Sequence, residues 1–157
     1  MSNERNPERY KDLIQNRKAR HSYEITEEIE AGIELRGYEV KSLRESGGSI
    51  VEAYITNKGT QMYIIGMTIP PYSKASMFTE PSKRDRRLLL HRRQINSLIS
   101  AASVKGMTLI PLKVYLSEKG IVKVLVGVGR GKALYDKRQD IKERDLKREF
   151  DRDYKIR

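Results

Sequence analysis

The 157 residues predict a mainly β fold, a small antiparallel β-barrel with embedded α-helices and a C-terminal tail that is disordered when free. Three observations lead there. Short runs rich in Val, Ile, Tyr and Thr alternate apolar with polar residues, as half-buried strands do. Turn-type stretches separate them, NKGT at 57–60 and SEKG at 117–120. Beyond residue 130 the composition changes to GKALYDKRQDIKERDLKREFDRDYKIR, which offers a core almost nothing. About six short strands with two intervening helices suggest the OB type of barrel, a frequent binder of oligonucleotides.

The elements follow in order. Residues 1–15 are polar, broken by Pro7, and predict a flexible extension. In NRKARHSYEI the shared parity of His21, Tyr23 and Ile25 predicts a strand, which Ala31, Ile33 and Leu35 continue. GYEVKSLRESGG predicts a short helix, with Val40 and Leu43 three apart and Gly47-Gly48 as its stop. SIVEAYIT and QMYIIGMTI form a hairpin across NKGT, and residues 70–86 a long polar loop. RRLLLHRRQINSLISAASVKG predicts a long helix, with Leu88, Ile95, Leu98, Ile99 and Ala102 at helical spacing and Gly106 past its end. MTLIPLKVYLS and IVKVLVGVG form a second hairpin, in which Pro111 must sit at an edge or a bulge. One domain over 16–130 and a basic tail over 131–157 result.

Charge narrows the function. The chain carries a net +11, and residues 130–157 hold 11 of its 32 basic and 7 of its 21 acidic residues. The rest keeps 21 basic and 14 acidic groups, so the body is basic (+7) without its tail. Such an excess attracts polyanions, nucleic acid before all. No run approaches a membrane span, and no basic amphipathic helix with Trp or Phe on its apolar side is visible, so no membrane partner is expected. The start has no secretory h-region and the chain no cysteine. Both fit a cytoplasmic protein.

Catalytic chemistry is hard to assemble. His21 and His91 stand in no metal-ligand spacing, and no metal or other cofactor is expected. ITEEIEAGIE could arm a metal-dependent nuclease through Glu27, Glu28 and Glu30, yet its acids fit a solvated strand face better. GVGRGKA fails as a phosphate loop, because only three residues separate Gly127 from Gly131 and Ala133 follows Lys132. Its glycines are expected to let the last strand run out into the tail. Basic clusters beside aromatics carry more weight. Arg17, Lys18 and Arg20 precede His21 and Tyr23, while Lys83, Arg84, Arg86 and Arg87 lead into the long helix and Arg92 and Arg93 extend it. Phosphate contacts plus stacking of unpaired bases are how RNA is gripped.

In the tail, Asp140–Arg144 and Glu143–Lys147 are acid-before-base pairs at i,i+4. Leu146, Phe150 and Tyr154 form one short stripe, but Leu134 and Ile141 fall on the opposite side. A helix lacking a continuous apolar face is marginal alone in water. Order on a polyanionic partner is the expectation.

NRKARHSYEI, EAGIEL with GYEVKSLR, RRLLLHRRQI and GKALYDKRQDIKERD together resemble the SsrA-binding protein family, also called small protein B, from about Asn16 to Lys147. The resemblance implies a non-enzymatic partner of transfer-messenger RNA and of the ribosome's small-subunit RNA in trans-translation, and the free chain is expected to be a monomer. It implies an RNA face of Asn16, Lys18, Arg20, His21, Tyr23, Glu30 and Lys41, with Leu89 and His91 supporting. It also implies a tail that is helical on the ribosome and reaches the decoding centre and mRNA channel through Gly131, Lys132, Tyr135, Asp136, Lys137, Arg138, Lys142 and Arg144. FDRDYKIR matches weakly and takes no role. A general OB-type RNA-binding or ribosomal structural protein without a rescue role is the alternative.

Overall fold

The computed structural model describes residues 11–74 and 82–132. Seven strands and three helices follow in chain order: β1 (Lys11–Gln15), α1 (Arg17–Ser22), β2 (Tyr23–Ile33), α2 (Gly37–Ser46), β3 (Tyr54–Lys58), β4 (Gln61–Ile65), β5 (Arg86–Leu89), α3 (Arg92–Ser103), β6 (Met107–Leu116) and β7 (Val122–Gly131). All pairings between strands are antiparallel. The order β6-β3-β4-β5-β2-β7 closes on itself through β6–β7, and β1 adds to β6. This is the expected mainly β barrel with helices set into it. Closure removes sheet edges and encloses a core of Ile33, Ile55, Met62, Ile64, Leu88, Val114, Val124 and Val126.

β6 and β7 are buried on both faces. Their inward residues fill the barrel, while Ile110, Leu112, Tyr115 and Leu125 form a second apolar cluster on the outside with Ala19 of α1. That explains why VLVGV reads as a continuous apolar run rather than an alternation. Pro111 sits where the β6–β7 register shifts, at the bulge its missing N–H requires. The expected hairpins both form. In the first, Asn57 and Lys58 stay in the ladder and only Gly59-Thr60 turn.

Four expectations are corrected. Residues 11–15, assigned to the flexible extension, pair with β6 as β1. His21 belongs to α1, not to the strand, because Asn16 caps a helical turn and accepts from the Ala19 N–H at 3.2 Å. Leu88 lies in β5, not in the long helix. It pairs with Met62 and Ile33, and the ring could not close without a strand there. The helix starts only at Arg92. Gly127 and Gly129 of GVGRG do not serve to loosen the strand's end. A Cβ at Gly127 would lie 2.9 Å from Leu112, and one at Gly129 2.8 Å from the Glu24 carbonyl, so close packing requires them.

Among the described residues no helix is long and apolar enough to cross a membrane, which leaves membrane β-barrels unaddressed. Apart from Gly131 and Lys132, the tail and the helix expected in it lie outside the described residues.

Candidate nucleic-acid interface

Register puts Glu30 beside Leu125 and Lys113, and Gly32 beside Lys123 and Tyr115, all on the barrel's outer face. β5 and the start of α3 wall that face on one side. Between them lies a groove of about 660 Å³, lined by Glu28, Glu30, Leu89, His91, Gln94 and Lys123 among others. Gly32 makes room for it: a Cβ there would meet that of Leu89 at 3.1 Å, so Leu89 lies across β2 and stays 48% exposed. An exposed leucine, a carboxylate and a lysine around one concavity suit a flat apolar ring with polar edges.

His91 precedes α3, and its N–H donates to Gln94 Oε1 at 3.1 Å. Arg92 and Arg93 are exposed in the first turn, and no acid stands there. Cations at the positive end of a helix oppose its dipole, so a bound anion would relieve them.

α1 stands beside the groove. Arg20 pairs with Glu28 at 3.0 Å, and Lys18, Arg20 and His21 are exposed. Lys18 and Tyr23 line a second groove of about 250 Å³, with Val51 and Tyr54 on its rim at 50% and 51% exposure. Tyr23 also pairs with Gly131, so β7 ends beside this groove.

The structure thus gathers Glu30, Leu89 and His91 in one groove, and sets Lys18, Arg20, His21 and Tyr23 next to it. Asn16 differs. It is 4% exposed, and its Nδ2 donates to the Pro111 and Ile50 carbonyls at 3.0 and 3.4 Å. It anchors α1 to the barrel and holds the neighbouring cations in place. Lys41 lines neither groove. It is exposed on α2, with Nζ 6.0 Å from the Tyr72 ring. Gly131 ends β7 and Lys132 is exposed, whereas Tyr135, Asp136, Lys137, Arg138, Lys142 and Arg144 lie outside the described residues.

The basic run before the helix is corrected most. Arg86 is fully buried and donates to the Met67, Arg84 and Ser82 carbonyls at 2.8, 3.0 and 2.9 Å. Arg86 and Arg84 both pair with Glu39, itself 3% exposed. Burial pushes the Glu39 carboxyl up. Hydrogen bonds from Arg84, the Arg36 N–H and Arg86 outweigh it and hold the carboxyl below its ordinary 4.5. These two arginines hold α2 to the segment that leads into β5, and Arg86, fully buried, is closed to RNA. Arg87 pairs with Glu34 at 2.8 Å on the surface.

Lys123 and Gln94 were missed. Lys123 had a signal, since it is the single charge within IVKVLVGVG and its parity faces outward. Gln94 had none that separates it from an ordinary helix-surface glutamine.

Comparison with known proteins gives four matches. The model of a family described as "SmpB protein" matches residues 13–156. The SsrA-binding protein of Methylobacterium nodulans is 51% identical over 137 residues, 87% of each chain. That of Acetivibrio thermocellus is 51% identical over 140 residues, 89% of this chain and 90% of the relative. Among solved structures, a chain described under "tmRNA-SmpB: a journey to the center of the bacterial ribosome" superposes with a TM-score of 0.65 at 43% identity, covering 76% of this chain and 83% of that one.

Proposed function

The chain belongs to the SmpB protein family, and from that premise we propose that it binds the tRNA-like domain of transfer-messenger RNA and delivers it to stalled ribosomes for trans-translation. The observation that carries this is the similarity, sustained over most of both chains, to proteins named SsrA-binding protein. The chain acts by binding in the cytoplasm, as a monomer when free, and contributes no catalytic step.

The groove and α1 supply the RNA face. Lys18, Arg20 and His21 meet phosphates, and Tyr23 offers a ring for stacking. Glu30, Leu89 and His91 receive a base or ribose in the groove, and Lys123 joins them. Asn16 acts by positioning α1, and Lys41 adds attraction from α2. The tail leads from Gly131 and Lys132 to the decoding centre and mRNA channel, where Tyr135, Asp136, Lys137, Arg138, Lys142 and Arg144 meet small-subunit RNA.

Equilibrium binding to the tRNA-like region, compared with an unrelated structured RNA of equal size at two salt concentrations, tests this. A preference of about 100-fold, or 2.7 kcal/mol, that survives the higher salt is expected. Equal affinities that collapse together as salt rises would mean general electrostatic attachment, and the reading would yield to the plain RNA-binding alternative.

A further inference from the structure

A carboxylate is costly on a surface that grips a polyanion. Loosely held, Glu30 repels phosphate and contributes nothing. Its use depends on being fixed where a hydrogen-bond donor can meet it.

The structure holds it in place. The Tyr115 phenol donates to Glu30 Oε2. Tyr115 is 3% exposed, and its ring packs in the outer cluster with Leu112 and Leu125. Lys113 Nζ lies 5.1 Å from the ring centroid and 3.6 Å from Asp12 Oδ1, so β1 braces the same ring. A packed tyrosine has two torsions to lose, and its hydroxyl marks a fixed point. Phe would fill the same apolar cluster without burying a hydroxyl, and a buried hydroxyl is costly unless bonded. Its bond to an ionised acceptor is of the stronger, charge-assisted kind.

We infer that Tyr115 is a positioning residue for RNA recognition. Through Glu30 it makes the groove accept a hydrogen-bond donor of the RNA, a base amino or imino group or a ribose hydroxyl, and refuse a phosphate. Lys123, paired in register with Tyr115, keeps the groove from being net repulsive. Phosphates go to the α1 cations and to the start of α3. This rests on the groove's being part of the RNA face.

The test is a double-mutant cycle on the full chain with Y115F, E30Q and both together, reading affinity for the tRNA-like region over a salt series. Y115F is expected to weaken binding roughly tenfold. The slope of log affinity against log salt should stay unchanged, since no phosphate contact is lost. In the E30Q background the same change should cost little, because the two residues act as one unit. An equal loss in both backgrounds, or an altered slope, would overturn the inference. Wild-type affinity in Y115F alongside a loss in E30Q would also overturn it and leave the RNA face standing. Wild-type affinity in both would remove the groove from the RNA face as well. Should Y115F fail to fold, E30D withdraws the carboxylate from the phenol by one methylene. A tenfold loss supports the inference and an unchanged affinity defeats it.

Discussion

Glu39 shows what a single residue can hide. In the sequence it is one acid among 21, and Arg86 is one cation in a run that looks ready for RNA. In the structure they form a buried pair that ties α2 to the start of β5. Removing one partner of such a pair strands the other, at about 3–5 kcal/mol. E39Q should lose that much in chemical unfolding at pH 7. The carboxyl's folded pKa is depressed, so its contribution is complete above the unfolded value and fades as pH falls through the folded one. The stability gap between wild type and E39Q should therefore narrow as pH drops below 4.5. A gap that holds constant down to acid unfolding would show that the charge is not what matters. A charged letter looks the same whether solvated or buried, so no periodicity could have separated Arg86 from Arg92.

At the scale of elements, helix against strand was decided by partners. LLL is too short an apolar run to choose between the two periods. β5 is a strand because β4 and β2 lie on either side of it and the ring needs closing. α1 erred the other way. Its cap, Asn16, is of a type that starts helices, yet the alternation of His21, Tyr23 and Ile25 spoke louder. The glycines of β7 give a test. G129A puts a methyl 2.8 Å from the Glu24 carbonyl and 2.9 Å from Ile25 Cδ1. It should cost about 1–3 kcal/mol in denaturant titrations. G131A, whose methyl would meet Tyr23 no closer than 3.5 Å, should stay within about 0.5 kcal/mol. Equal tolerance at both positions would restore the view that these glycines merely loosen the strand.

For the whole molecule, the question is how body and tail divide the work. Residues 133–157 hold 9 basic and 7 acidic residues, a net of only +2 out of +11. Cutting the chain after Lys132 should leave affinity for transfer-messenger RNA and its salt slope close to wild type. Tagging of nascent chains on stalled ribosomes should be lost in a reconstituted assay. A loss of RNA affinity with tagging retained would contradict the division. The sequence by itself determined the fold class, both hairpins, Ile95, Leu98 and Ile99 as the core contacts of α3 (though not Ala102, which is exposed while Ala101 packs inward), the basic body and, through its resemblance, the family. These are local or additive properties: a side-chain period of two or 3.6, a turn residue, a sum of charges. Only the tertiary structure decided that residues 11–15 are a strand, that Arg86 belongs to the interior and that Glu30 is held by Tyr115, 85 positions away in the chain. Each depends on which distant segment lies alongside, and closure of the barrel settles that.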